Sequence, residues 1–350
     1  MARTAAHGPP MGGCYGSPMT SESIRSAIRT GYGRPADVVR LVDRERPTPT
    51  GDQVLVRVHA ASVNRADLDG IEPRPGFLRL FLGLRRPRDE RIGCDVAGVV
   101  EAVGPAATRF QPGDRVFADL YSAGGGSFAE VAMAAERHFQ PIPDGLSFED
   151  AATLPHSAIL ALQGLRRRDG RTPGPGDRVV IGGASGNVGP FAVQIAKSYG
   201  AEVTGVCRGS KVDFVRSLGA DHVLDYETED WATTSERYDW ILEADTHHSM
   251  LHVRRSLRPD GVFVTLGGGA RDIAAALLVG PVVTLATDKS VGLLLGWKPF
   301  HPPDVRTLAT MVLDGRITPR IDRRFSLEET VQALAWVDDG RAQGKVLILP

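Results

Sequence analysis

From residue 24 to residue 143, apolar and polar side chains alternate in short runs, the period expected of half-buried strands. Strands are predicted over QVLVRVHAASV (Gln53–Val63) and over residues 95–104, 114–120 and 127–133. Pro112-Gly113-Asp114 and Gly124-Gly125-Gly126 supply turn signals between them. Ser147, followed by Glu149 and Asp150, predicts a capped helix start with acids at its positive end. That helix is expected to reach residue 167, with a break near Pro155. After Pro173-Gly174-Pro175-Gly176 the period changes. Strand-like runs at 178–181, 202–206, 222–225, 240–243 and 262–266 alternate with helix-like stretches at 188–199, 211–218 and 249–257. Such alternation implies a parallel sheet with right-handed crossovers. The apolar run 273–286 is interrupted by Gly280-Pro281 and predicts a helix, a break and a buried strand. It is shorter than the roughly 20 residues a membrane span needs. Beyond it come a helix at 304–313, a strand at 317–323, a helix at 327–338 and a strand, Lys345–Leu349, expected to pair back into the first half.

The chain has 350 residues, which at roughly 150 per domain predicts about two domains. An apolar fraction of 42% excludes a disordered chain. Forty-one basic against forty-two acidic residues leave a net charge of −1, and no global field directs the protein to nucleic acid or to a membrane. Three widely spaced cysteines, Cys14, Cys94 and Cys207, form neither a disulfide framework nor a metal knuckle. The first twenty residues lack the apolar stretch of a signal peptide. They are expected to be a disordered tail, with Met19 as an alternative start, on a soluble cytoplasmic protein.

The strongest chemical signal is Ala184-Ser185-Gly186-Asn187-Val188-Gly189, between a strand and a helix. It is the dinucleotide fingerprint with Ala in the first glycine place. Gly186 would admit a pyrophosphate to the backbone, Gly189 would let helix pack on strand, and free amides at the helix start would bind phosphate. About 20 residues on, where a carboxylate would select NAD, the chain has Val206-Cys207-Arg208-Gly209-Ser210-Lys211. Arg208, Ser210 and Lys211 are therefore candidate donors to the 2′-phosphate of NADPH.

Together these segments resemble the medium-chain dehydrogenase/reductase superfamily, in its zinc-independent quinone-oxidoreductase-like branch. The matching stretches are VHAASVNRAD (58–67), GCDVAGVVEAVG (93–104), FQPGDRVF (110–117), GASGNVGPFAVQIAK (183–197), SLGADHVLDY (217–226) and GKVLIL (344–349). The resemblance implies an α/β protein: a tail (1–21), a GroES-like β-barrel catalytic domain (22–160), a Rossmann NADP-binding domain with a doubly wound parallel sheet (161–300), and a segment (301–350) returning to the catalytic domain. It also implies a homodimer with substrate between the domains. By the same resemblance, Tyr226 helps hold the adenosine end of the cofactor, Asn64 faces the nicotinamide ribose, Arg65 reaches the pyrophosphate, and Gly267 and Gly268 pass the nicotinamide.

Zinc-dependent relatives carry Cys-x-x-Asp where this chain has Asn64-Arg65-Ala66-Asp67, and Gly-His-Glu where it has Gly93-Cys94-Asp95; their third ligand falls near His156. The hydroxyl that relays the alcohol proton is replaced by Ala66, the four-cysteine structural loop is missing, and Leu160 replaces a threonine near the nicotinamide. No metal is expected, because Cys94 and His156 leave one protein ligand too few. Without a Lewis acid the fitting acceptor is a small-molecule quinone or α,β-unsaturated carbonyl, whose own π-system takes up charge. Such a reaction needs a proton source, for which His156 is the candidate, with Asn64 beside it; the alternative is that His156 only packs. Rival functions are an enoyl-thioester reductase, a zinc-type alcohol dehydrogenase, and a non-catalytic NADPH-binding sensor.

Between Gly70 and Arg91, six arginines interleave with Phe77, Leu78, Leu80, Phe81, Leu82 and Leu84. This segment, near the mouth of the cleft in related reductases, would admit a bulky apolar or anionic substrate, or else pack as a surface loop. His247, His248 and His252 are expected on a solvent-facing helix, and Arg166–Arg168 on a solvated face.

Overall fold

The computed structural model describes residues 23–350 apart from 75, 234, 245–247 and 295–296. The tail, Cys14, Met19 and His247 lie outside the described residues.

A two-stranded antiparallel hairpin opens the fold, β1 (Ser23–Arg29) with β2 (Val39–Glu45). Then follow β3 (Gln53–Val63), β4 (Asp95–Val103), β5 (Arg115–Asp119), β6 (Val131–Ala135) and β7 (Phe139–Pro141). The parallel half contains β8 (Arg178–Gly182), β9 (Glu202–Cys207), β10 (His222–Asp225), β11 (Tyr238–Glu243), β12 (Leu257–Thr265) and β13 (Ser290–Leu293). The chain ends with β14 (Ile321–Ser326) and β15 (Lys345–Leu349).

The first sheet runs β14-β15-β3-β4-β5-β7, with β6 also on β3. β3 is central, and its last residues, Ala60 to Val63, are buried on both faces. Gly113, with φ of +97°, makes the tight turn that leads into β5, a conformation few side chains would tolerate. The second sheet runs β10-β9-β8-β11-β12-β13, all parallel, and the order in which strands are added switches sides between β8 and β11. Ligands bind at such a switch point, outside the carboxyl ends of the strands. As expected, β15 returns to the first half, pairing Val346 with Val63 in antiparallel register.

Three local expectations fail. Ser127–Glu130 is not regular strand, because it meets β1 only at an isolated antiparallel bridge, Ser26 with Ala129, with Ala27 N–H donating to Phe128 O and Glu130 N–H to Arg25 O. Gly280-Pro281 does not break its segment: one helix, Ala270–Ala286, runs through it. Gly280 is needed for close packing on β13, since a Cβ there would stand 2.7 Å from the Val291 carbonyl oxygen. The Thr284 hydroxyl bonds Gly280 O at 3.0 Å, satisfying one of the carbonyls around the proline. The strand comes later, at β13. Finally, Arg166 is not merely solvated: it pairs at 2.7 Å with Asp304, whose side chain is buried at the start of the helix Pro302–Leu313.

Candidate active site

β8 ends at Gly182, and the chain turns through Ala184–Val188 into the helix Gly189–Ser198. Gly189 has no room for a side chain, since a Cβ would lie 2.3 Å from the Gly183 carbonyl oxygen. Ala184 is fully buried, and its N–H bonds Val206 O at 2.9 Å, tying the turn to β9. Pro190 carries no N–H, and the Asn187 and Val188 amides have no backbone acceptor among the described residues. They stand at the positive end of the helix, where a phosphate binds. Two contacts fasten the turn to the other half: Asn187 Nδ2 donates to Val63 O at 3.1 Å, and Gly344 N–H to Ser185 O at 3.1 Å. The residues from Ala184 to Gly189 thus form one cradle, and it fits a dinucleotide pyrophosphate.

At the tip of β9, Arg208 and Tyr226 are both exposed and joined by Nε–H to hydroxyl at 3.2 Å; Ser210 is exposed beside them. Lys211 departs from the expectation. Its ammonium is turned inward, donating to the carbonyls of Gly340 at 2.8 Å and Ala342 at 2.5 Å. Nor is the tip free of carboxylates. Glu227 stands 3.5 Å from Arg208, and a Cβ on Gly209 would lie 2.4 Å from an Asp225 oxygen. Gly267 and Gly268 follow β12, where Leu266 N–H bonds Glu243 O at 2.9 Å, so they share the carboxyl edge of the sheet with β11. Arg65 does not reach toward the turn; it pairs with Asp69 at 3.1 Å and with Asp338 at 3.0 Å.

His248 is also misplaced by the sequence reading. It precedes the helix Met250–Ser256, and its ring bridges Glu243 at 3.1 Å and Asp230 at 2.9 Å, while His252 is exposed on that helix. Burial opposes charge on His248, but these two carboxylates raise its pKa overall.

Between the two sheets lies a buried polar knot. Asn64 caps the helix Arg65–Ile71, and its backbone N–H donates to Asp67 at 2.8 Å. Its amide oxygen accepts from Lys345 Nζ at 2.6 Å and from the Ser157 hydroxyl at 2.8 Å. Its amide nitrogen donates to Asp95 at 2.8 Å and to Ser62 O at 3.3 Å. Asn64 is 1% exposed and every hydrogen-bonding position on its amide is taken, so it orders its neighbours and does not contact substrate. This placement leaves Asn64 a positioning residue, not the catalytic partner of His156 that the sequence suggests. Burial raises the Asp95 pKa and lowers that of Lys345, while their 3.5 Å pairing opposes both shifts. Burial also pushes Asp67 up to about 6, with the Cys94 thiol and the Asn64 amide pulling the other way.

His156 lies next to this knot, on a single wide turn, Leu154–Ala158, inserted at the expected break between two helices. Its Nδ1 bonds Asp119 at 2.9 Å, and the other oxygen of Asp119 accepts Tyr121 N–H at 2.8 Å. Burial lowers the imidazole pKa and Asp119 raises it; the net displacement is upward. Nε2 has no partner among the described residues. The rings of Trp297 and Tyr121 flank the imidazole at centroid distances of 5.1 and 5.8 Å.

The donors at this place do not fit a metal. The described residues contain no group of three or more His, Cys, Asp or Glu side chains arranged to hold one. Burial first, then Asp67 and Asp119, raises the Cys94 pKa well above the ordinary thiol value, which disfavours the thiolate that zinc requires. The Asn64 oxygen is already occupied by the Lys345 Nζ.

Asp119, Tyr121, Ser157, Trp297 and Lys345 were not singled out from the sequence as site residues. Lys345 did carry a signal: it opens KVLIL, a run otherwise wholly apolar.

Residues 50–144 match the alcohol dehydrogenase GroES-like domain, and residues 218–348 match a family described as zinc-binding dehydrogenase. A chloroplastic quinone oxidoreductase, QR1 of Triphysaria versicolor, is 30% identical over 95% of this chain and 100% of its own length. This chain belongs to the medium-chain dehydrogenase/reductase superfamily, in its quinone-oxidoreductase-like branch. The mouse mitochondrial NAD(P)H oxidoreductase RTN4IP1 is 31% identical over 85% of this chain and 81% of its own. The structure of the quinone oxidoreductase from Coxiella burnetii superposes with a TM-score of 0.82 at 26% identity, covering 94% of this chain and 100% of that one. The barrel-plus-Rossmann architecture is therefore that of the superfamily, and the protein is an oxidoreductase that uses a nicotinamide cofactor.

Proposed function

We propose that the protein transfers hydride from NADPH to a quinone or α,β-unsaturated carbonyl without a metal, as a cytoplasmic homodimer. One observation carries the reading: a buried imidazole, bonded through Nδ1 to Asp119, which raises its pKa against the pull of burial, has no partner for Nε2 among the described residues and lies beside two aromatic rings. The cofactor supplies a hydride. A conjugated acceptor that takes it becomes a phenolate or enolate, and His156 Nε2–H gives that anion its proton. The imidazole left neutral is held in place through Nδ1 and recovers a proton from water. Trp297 and Tyr121, edge-on to each other at 6.0 Å between centroids, would give an acceptor beside the imidazole apolar neighbours. The donor set around Cys94 supports metal independence, and the quinone-oxidoreductase relatives support the acceptor class.

Arg208 and Ser210 support NADPH over NADH, because both are exposed at the tip of β9 and a 2′-phosphate would compete with Glu227 for the guanidinium. Lys211 is not part of this reading. The edge of β13, unpaired among the described residues, and the outward Leu278, Val282 and Leu285 support a two-fold dimer. Sedimentation as a monomer would remove that part.

The test is steady-state oxidation of NADPH and NADH against quinones and enones, with a chelator present. Turnover that survives the chelator and drops about a hundredfold in His156→Phe supports the reading. Loss of turnover to the chelator overturns metal independence. Silence with NADPH bound moves the assignment to a thioester reductase or a sensor.

A further inference from the structure

We propose that residues 77–88 form a docking element for anionic membrane surfaces, beside the mouth of the active site. A net charge of −1 over the whole chain conceals a local imbalance: residues 79–88 carry Arg79, Arg85, Arg86 and Arg88 and no acid. Among the described residues, Arg85, Arg86 and Arg88 have no acidic partner. Next to them Phe77, Leu80, Phe81 and Leu84 are 45%, 64%, 71% and 68% exposed. So many large apolar side chains presented to water in eight residues mark an interaction surface.

The element is held in shape. It follows the helix Arg65–Ile71, whose Gly70 carbonyl accepts from Arg29. In its middle, Tyr32 donates its hydroxyl to Gly83 O at 2.8 Å, and the Arg79 guanidinium covers the Tyr32 ring at 5.0 Å. Arg88 N–H bonds Leu82 O at 2.9 Å, closing the loop. Beyond it, Arg91 pairs with Asp89 at 2.6 Å and donates to Ala123 O at 3.1 Å. Ala123 closes the short helix Tyr121–Ala123, which carries the ring beside His156.

Charge and shape choose the occupant. Exposed Phe and Leu beside unpaired Arg match a lipid surface, with rings and leucines entering the headgroup boundary and guanidinium groups meeting phosphate. A second copy of this chain would bring the same arginines face to face across a two-fold axis. No described helix is long and apolar enough to cross a membrane, so the contact would be peripheral.

The experiment is flotation of the purified full chain, without cofactor or acceptor, with vesicles of phosphatidylcholine alone and of an equimolar mixture with phosphatidylglycerol. The protein should float with the mixed vesicles and not with the neutral ones, and high salt should release it. Arg85→Glu with Arg86→Glu should weaken binding about tenfold or more, and Leu80→Ser with Phe81→Ser by a similar factor. Both pairs should keep the wild-type melting midpoint. Equal behaviour of wild-type protein with both vesicle types overturns the proposal, and that comparison needs no variant. Binding undiminished in either pair also overturns it, as does dissociation of a dimer by Leu80→Ser with Phe81→Ser, which would make the face a self-interface. These readouts do not involve turnover, so they stand or fall apart from the acceptor class.

Discussion

The polar cluster around Asn64 and the one at the tip of β9 use the same chemistry in opposite surroundings. At Asn64, a lysine, a carboxylate, an amide and a hydroxyl are all buried, and each hydrogen-bonding position of the amide is filled from within the chain. At β9, Arg208, Tyr226 and Glu227 lie open to solvent with two long contacts among them, both made by the Arg208 guanidinium. Buried polar groups with no alternative partners fix a single geometry, here the placement of β15 against β3 and of the turn that carries His156. Exposed charges keep partners they can exchange, which is what a ligand-reading surface needs. The lesson is that the residues holding the site together and those choosing its ligand belong to different energetic classes.

Breaking the buried cluster should have the largest effect. Lys345→Met leaves Asp95 buried beside an apolar chain and should cost about 3–5 kcal/mol of stability, measured by chemical denaturation. An unchanged midpoint would remove the contrast altogether. Asp119→Asn acts between the two classes. Folded-state pKa values raised above the ordinary one confer a protonated form that is lost as pH rises through the raised value. The amide would lower the His156 pKa, so the alkaline fall of kcat should begin at lower pH, with about a tenfold lower rate above neutrality. A profile that does not move would detach His156 from proton donation.

On the exposed side, Arg208→Ala should reduce the preference of kcat/KM for NADPH over NADH by about tenfold with little change in stability. Lys211→Met sharpens the comparison with the smallest effect. It should cost about 1–2 kcal/mol by leaving the Gly340 and Ala342 carbonyls unpaired, and leave cofactor preference alone. A change in preference would restore Lys211 to the ligand-reading surface.

What the sequence revealed follows the same division. The two sheets, the glycine turn and the return of β15 were legible because each is written in a short stretch with its own period or turn residues. The knot was not, because Ser62, Asn64, Asp95, Ser157 and Lys345 come from four distant segments, and neither the position of Asn64 nor the lone charge of Lys345 in its apolar run says that the two meet. Lys211 was assigned outward from its place after β9; only the fold brings the 340–342 loop beneath it. His248 was read as solvated for the same reason, since Asp230 precedes it by eighteen positions. The helix through Gly280-Pro281 was misread because proline is a weaker signal than the packing of Gly280 on β13.

The pairing of Val346 with Val63 has a consequence for how the chain is made. A ribosome delivers the nucleotide-binding sheet complete once residue 293 has emerged, and that half can fold while synthesis continues. The sheet begun at residue 53 must wait for residue 349, keeping the β3 edge open and Asp95 without its lysine partner until then. The half that emerges first is therefore the last to close, and a pause in translation near the end of the message would leave its edge available to other nascent strands.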